Sequence, residues 1–498
     1  LLIRRPSSPL ATLAFTATTA SILLATLTLL PSPARAGGIL AARFGGEQGH
    51  PMTDDPSAIY YNPAGLSLKR GTRLHLNGLL AWRLASYDRP TGAIDNPLPS
   101  GAMGAGTPQS DLAVNAGKAE LSNVIVSPFL ALTTDFGVKN LGVGVGFAVP
   151  FGGQASWNQN AAYRGSLQYP GAVDGVQRWA TIDGVIRSQY IMIGGSYTIP
   201  RARLSIGATV NIILNEANTV RARTAAGTDD VTTNGIPTEG RSQIEAKNVT
   251  ASLGVGVIWQ PADNWWLGVS YQSQPGFGEH RLSGTLRNKI GNGDVTEQPI
   301  ELTQNLPDVL RFGFRVRPIR RLELRLFAEY QRWSVFKNQC VLDATVADRK
   351  CAVLPDGSLD TANGGAGVVV VLPRDWKDGG GVRLGASYFV RDNVELYLGA
   401  GYDANVIPDK TLDPSMIDQE KVTVSAGGRL ELVRRKLGLA LTYTQVIYLD
   451  RTAPVRARDA DGQPIAPLAP SRNPDFGGKY SQALGLVSLA LEYNFTGP

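Results

Sequence analysis

Apolar residues at every second position, with charges repeatedly on the positions between, are the feature that most restricts what this chain can fold into. Leu322, Leu324, Leu326, Ala328 and Tyr330 share one face of a run whose other face carries Glu323, Arg325, Glu329 and Gln331. Leu310, Phe312, Phe314 and Val316 do the same against Arg311, Gly313, Arg315 and Arg317. Leu437, Leu439, Leu441 and Tyr443 oppose Ala440, Thr442 and Thr444. A period of two is the signature of a strand with two unlike faces. Runs of this kind fall at 72–86, 121–135, 141–150, 182–199, 203–218, 247–260, 265–284, 300–317, 321–335, 380–391, 393–405, 420–434, 436–449 and 481–495. The reading is therefore all-β, with fourteen strands.

Connection lengths separate a sandwich from a membrane barrel. Six connections are tight, built on DFGVKN, IPRAR, PADN, PIR, DN and RK. They alternate with long ones, among them 87–120, 151–181, 219–246, 336–379 and 450–480. Short turns at one rim and long loops at the other, with an even strand number, describe an antiparallel transmembrane β-barrel closed on itself. Closure leaves no open edge to face lipid. Trp259 and Trp265 flank the tight PADN turn on the apolar face, where an interfacial aromatic girdle belongs. The last run places Val487, Leu489, Leu491, Tyr493 and Phe495 on one face. It resembles the terminal signal by which such barrels are recognised for assembly, although Thr496-Gly497-Pro498 follow it.

The N-terminus reads as an export signal over 1–36: Arg4 and Arg5, an apolar stretch from Leu10 to Leu30, then Ala34-Arg35-Ala36 as a small-x-small cleavage pattern. Its removal takes three basic residues and no acids, so the formal charge falls from +6 to +3. That balance points to neither nucleic acid nor a polybasic membrane surface. The two cysteines, Cys340 and Cys351, lie in one expected loop and are expected to pair in an oxidising envelope compartment. No histidine stands near them, so no metal site is expected. His50, His75 and His280 are scattered, with no nucleophile–base motif attached, so no catalytic residue and no cofactor is expected. Glu323, Arg325, Glu329, Arg383, Glu395, Arg429, Glu431 and Glu492 read as lumen charges that compensate one another.

Residues 37–71 precede the first strand and are too few to fold alone. They carry Ile59, Tyr60 and Tyr61, too apolar for a solvated tail, followed at once by Asn62-Pro63-Ala64. A fourteen-strand lumen is wider than side chains fill, so a plug formed by this segment is expected inside it, with 72–498 as the barrel.

The stretch DDPSAIYYNPAGL, with WQPADNWWLGVSYQS at 259–273, LPDVLRFGFRV at 306–316, WKDGGGVRLGASY at 376–388 and YDANVIPDKTLDPSMIDQEKVTVSAGG at 402–428, resembles the FadL/TodX family of outer-membrane transporters. The resemblance covers essentially the whole chain beyond residue 36. It implies a fourteen-strand barrel with an N-terminal hatch and passive transport of long-chain fatty acids or aromatic hydrocarbons. It also implies a kinked third strand through which cargo leaves sideways. Here that strand is LGVGVGFAVPFGG. Leu141, Val143, Val145, Phe147 and Val149 are expected to face lipid, and Gly142, Gly144, Gly146 and Ala148 the lumen, while Pro150 deletes a ladder hydrogen bond. Asn62 and its neighbours are expected to hold the plug against this strand. Phe151, Trp157, Tyr163, Leu167, Tyr169 and Trp179 are candidates for a first apolar foothold for ligand.

The expected partners are a hydrophobic small molecule, outer-membrane lipid with lipopolysaccharide, and the barrel-assembly machinery; the expected state is a monomer in the outer membrane of a Gram-negative-type bacterium. A porin for polar solutes, or a structural or adhesive barrel, is the competing reading.

Overall fold

The computed structural model describes Phe44 and residues 46–460 and 462–496. The export-signal reading of 1–36 and the first part of the 37–71 segment lie outside the described residues.

One continuous antiparallel sheet closes on itself, because the first strand pairs with both the second and the last. Its nineteen hydrogen-bonded segments occupy fourteen positions around the wall, since five segments continue a strand already begun. The strands are β1 (Arg73–Arg89), β2 (Gly117–Thr134), β3 (Leu141–Ser156), β4 (Asp183–Ile199), β5 (Leu204–Arg223) and β6 (Gly240–Ala262). Next come β7 (Trp265–Gln272, resumed at Arg281–Lys289), β8 (Thr296–Thr303, resumed at Val309–Ile319), β9 (Leu322–Gln331, resumed at Asn338–Asp343) and β10 (Val368–Pro373, then Gly379–Arg391). Finally there are β11 (Val394–Asp403), β12 (Lys421–Val433), β13 (Leu437–Tyr448, with Arg451–Ala453) and β14 (Gly478–Asn494).

Exposure along β9 shows which face is which. Leu324 and Leu326 are 40% and 43% exposed, whereas Glu323 and Arg325 beside them are 3% exposed. A soluble protein arranges these the other way round. An apolar band on the outside and ion pairs on the inside suit hydrocarbon and an enclosed lumen. The lumen charges do compensate one another: Arg325 lies 3.4 Å from Glu323, Arg311 2.6 Å from Glu329, Arg383 3.0 Å from Asp403 and Arg429 2.7 Å from Glu492. Trp259 and Trp265 are both exposed on the outer face.

The structure departs from the sequence reading in two places. The runs at 265–284 and 300–317 are each broken, so residues 273–280 and 304–308 leave the wall. In addition, 336–379 is not simply a loop: Asn338–Asp343 and Val368–Pro373 pair with each other and raise β9 and β10 above the rim. Cys340 and Cys351 form a disulfide, with Cα atoms 5.6 Å apart, at the base of this extension. Extensions of this kind carry turn-rich sequence around short strands, which is why alternation alone does not find them.

Candidate functional site

The Asn62-Pro63-Ala64 knot joins two short helical turns. Ala58–Tyr61 form one α-helical turn, and Pro63–Ser67 a 3-10 turn. Pro63 excludes the helical conformation from the residue before it, and Asn62 is accordingly extended, at φ −164° and ψ 104°. Its backbone N–H still donates to Ala58 O at 2.9 Å, closing the first turn. Its side-chain Oδ1 accepts from the Ala64 N–H at 3.1 Å, opening the second. One asparagine thus ends one turn and caps the next.

The remaining half of that side chain reaches the wall. Asn62 Nδ2 donates to Pro51 O at 2.8 Å, to Val257 O on β6 at 3.1 Å and to Val269 O on β7 at 3.2 Å. Of the expectation that Asn62 and its neighbours hold the segment against the third strand, only the part about Asn62 itself is corrected. Its wall partners are β6 and β7, and β3 meets Ile59 and Leu66 instead. Asn62 is fully buried, so its own amide has no water as an alternative.

Glycines make the seat. A Cβ built on Gly142 of β3 would run into the Leu66 backbone, one on Gly207 of β5 into Pro63 and Ala64, and one on Gly256 of β6 into the Asn62 amide. Gly268 and Gly313 are in the same position beneath Pro51 and Met52. Backbone can lie flat against backbone only where side chains are missing. Around this seat, Arg311 stacks 4.7 Å from the centre of the Tyr60 ring while its Nε holds Glu329 at 2.6 Å. Ser270 Oγ donates to Tyr61 O at 2.6 Å. Phe44, Tyr60, Tyr61 and Phe129 pack edge to face or stacked. The segment lies against the inner face of the wall by apolar, cation–π and hydrogen-bonded contacts together.

The third strand is where the wall comes apart. β2 and β3 pair only from Leu130–Phe147 to Thr134–Val143. Above that, an isolated bridge between Leu121 and Trp157 is the next backbone pairing, so residues 122–129 and 148–155 face each other without a ladder. On its other side β3 stays paired with β4, through a bulge between Ala148 and Phe151. The bulge carries Pro150 and turns the whole of Ala148–Gly152 inward, so that each of them is buried. Val149, expected to face lipid, is 2% exposed and is corrected to this inward set. An extra residue in one strand bends it and re-aims its side chains. Side chains span the seam in place of backbone: Asn123 Nδ2 and Arg83 Nη1 donate to Gln154 O at 3.2 and 3.4 Å.

Behind the seam lies a cavity with an empty volume of about 1250 Å3, open solvent space included. Phe151 lines it, together with Leu306, Trp333, Trp376, Met416 and Ile417. Ile244, Leu282, Leu302, Val341 and Val370 add an apolar flank from the upper wall. Phe151 meets Trp333 edge to face at 6.2 Å, and Trp333 meets Trp376 at 4.8 Å. Apolar walls with a few converging polar groups are what small-molecule sites look like.

Of the six loop residues singled out from sequence, Phe151 alone lines this cavity. Trp157 is buried at the bridge that ends the seam. Tyr169 and Trp179 are buried in a separate cluster with Val114, Ala172, Ala222 and Val231, against which Tyr163 packs. Trp179 donates there to Asn115 Oδ1 at 2.9 Å. Leu167 is 95% exposed. Sequence reasoning missed Trp333, Trp376 and Leu306. Leu306 and Trp333 fall inside the runs read at 300–317 and 321–335, and Trp376 just before the run at 380–391, so no signal set them apart from wall or loop residues. His50, His75 and His280 remain apart, and among the described residues no cluster of acids, histidines or cysteines is placed to hold a metal ion.

The profile of the outer-membrane transport proteins designated OMPP1/FadL/TodX matches residues 34–448. The chain belongs to this family. Its fold is that of solved FadL-type barrels. A Pseudomonas aeruginosa FadL homologue, 18% identical, superposes with a TM-score of 0.70 over 92% of this chain and 100% of that one. The P. putida toluene transporter TodX, at 16% identity and TM-score 0.60, covers 93% and 99%. The Ralstonia pickettii toluene transporter TbuX, at 14% and 0.57, covers the same shares. No curated relative matches the chain in sequence. Membership makes this an outer-membrane transporter of hydrophobic compounds.

Proposed function

We propose that the chain carries hydrophobic small molecules passively from the outer surface into the cavity behind Phe151 and releases them sideways, through the β2–β3 seam, into the membrane. Residues 37–71 act as a hatch that keeps the lumen closed to water-borne solutes. The observation that carries this reading is the missing ladder between 122–129 and 148–155. A barrel has no structural need for an interrupted wall, and the interruption stands directly beside the apolar cavity. A hydrocarbon chain gains about 0.8 kcal/mol per CH2 on leaving water. A route that ends in hydrocarbon therefore needs no energy source, whereas one that continues down a charged lumen runs uphill.

The same reading assigns transport, not catalysis, as the activity. It takes 1–36 as a cleaved export signal, β14 as the strand met by the barrel-assembly machinery, lipopolysaccharide as the lipid around the long-loop rim, and a monomer as the working unit.

The test is a reversible cross-link. With Asn123→Cys and Gln154→Cys joined as a disulfide, uptake of a hydrophobic substrate in cells is expected to stop, and to return on reduction. Unchanged uptake in the oxidised state would remove the side exit. A polar-solute porin would instead give large, steady currents in planar bilayers from the unmodified protein.

A further inference from the structure

We infer that the short-turn rim carries a binding site for anionic phospholipid, built from the cations of three successive turns, 317–321, 391–393 and 434–436. The six tight turns, which add 135–140, 200–203 and 262–264 to these, hold ten basic residues and three acids. The long connections 87–120, 151–181, 219–246, 336–379 and 450–480 hold seventeen and nineteen. The small net charge of the chain therefore conceals an uneven split between its two rims. Three neighbouring turns concentrate the excess. β9 pairs with β10 and β11 with β12, and the turns are joined to one another, Phe389 N–H donating to Arg321 O and Glu431 N–H to Asn393 O, each at 2.9 Å. Strands lie about 4.8 Å apart, so the arc spans roughly 20 Å. It holds seven basic residues and one acid, Asp392. Arg317 is matched by Glu323 at 2.6 Å. Arg320, Arg321, Arg391, Arg434, Arg435 and Lys436 are all exposed, and among the described residues none has a carboxylate within ion-pair distance.

The setting of these cations favours lipid over a soluble partner. Each turn is entered through a register shift: Ile319 lies opposite Leu322, Arg391 opposite Val394 and Val433 opposite Leu437. Directly opposed residues share a face, and Val394 shares its own with Leu396 and Leu398, both exposed on the outer wall. Arg391 therefore leaves its turn on the lipid side. Lys436 Nζ stands 5.8 Å from the centre of the Tyr493 ring on β14. Ile319, Val390, Leu432 and Val433 are exposed among the same charges. A patch made for a water-borne acidic protein has no use for bare aliphatic side chains. At the edge of a bilayer both kinds are satisfied: the aliphatic groups enter hydrocarbon, and the long basic side chains extend to the headgroup layer. The short turns lie on the periplasmic side of an outer membrane, where the leaflet is phospholipid. An anionic phosphate there accepts charge-assisted hydrogen bonds from the guanidinium forks. The site is independent of the route that cargo takes.

The experiment compares retention of phosphatidylglycerol and phosphatidylethanolamine, with identical acyl chains, by the detergent-solubilised barrel, read by native mass spectrometry. The unsubstituted protein is expected to retain phosphatidylglycerol at least about fivefold more than phosphatidylethanolamine, and added salt should lower the ratio. Arg320→Gln/Arg391→Gln/Arg434→Gln/Lys436→Gln should bring the two lipids within about twofold of each other. Removing four exposed cations from the other rim, by Lys118→Gln/Arg164→Gln/Lys350→Gln/Lys410→Gln, should leave the preference unchanged. An unaltered heat-modifiable band in both variants is the check of folding. Equal retention of the two lipids by the unsubstituted protein overturns lipid recognition and leaves the arc to a soluble acidic partner. A preference that survives the substitutions in the arc, or that falls as far in the long-loop variant, overturns the assignment to these residues.

Discussion

Asn62 uses both ends of its amide for different purposes, and a substitution separates them. Its Oδ1 holds the local turn, while its Nδ2 reaches the carbonyls of Pro51, Val257 and Val269. Asn62→Ala removes these bonds and leaves the buried Pro51 carbonyl without its partner, at a cost of about 1–3 kcal/mol. The barrel itself should survive, because its ladder does not run through Asn62. The expected outcome is selective: amide exchange across residues 46–67 rises by one or more orders of magnitude while β4 to β6 stay protected, as hydrogen exchange read by mass spectrometry would show. Uniform loss of protection would mean that the segment stabilises the whole wall. The motif itself was legible as an extended, proline-locked interruption. Which carbonyls it reaches was not, since they lie about two hundred positions further along the chain.

Among the elements, the long-loop rim holds a pH-sensitive contact well away from the hydrocarbon. Asp95, in the loop between β1 and β2, is buried with both carboxylate oxygens unpartnered. Burial, with the Asp229 carboxylate beside it, pushes its pKa up to about 7, while Arg89, Arg456 and Arg472 act in the opposite direction. Arg89 is already engaged with Asp229 at 2.6 Å. A carboxyl with an ordinary value near ~4 when unfolded and a higher one when folded takes up a proton on folding. Its stabilising contribution is therefore complete below pH ~4 and is lost as pH rises through about 7. Protection of residues 91–116 against exchange, corrected for intrinsic rate, should fall between about pH 5 and pH 8. Asp95→Asn should flatten that dependence; a slope unchanged in the variant would assign it to another group. Strand elements were legible because alternation repeats over many residues. The inward bulge at Val149–Pro150 was only half legible: proline announces a lost hydrogen bond, but the direction of the bend comes from β4 holding one edge while β2 lets go of the other.

For the whole molecule, closure and occupancy of the lumen are separable. Deleting residues 46–67 removes the packed segment but no wall strand, so a barrel without it should still insert and still migrate as a heat-modifiable band. In planar bilayers it should pass large, steady currents where the intact protein is nearly silent. Silence from the deletion variant would mean that the loops, not the segment, close the path. What the sequence by itself determined was the class of object: two unlike faces repeated fourteen times, short and long connections in alternation, charges that pair across a lumen, and a leading segment too apolar for water. Those are local, periodic properties, and periodicity survives without knowledge of neighbours. Tertiary structure alone decided the rest. The cavity draws Phe151, Trp333, Trp376 and Met416 together from separate parts of the chain, and the seam exists because β3 keeps β4 along its length but loses β2 part-way. Which side chains meet there depends on what closure brings within a few ångströms, and no pattern along a single strand encodes that.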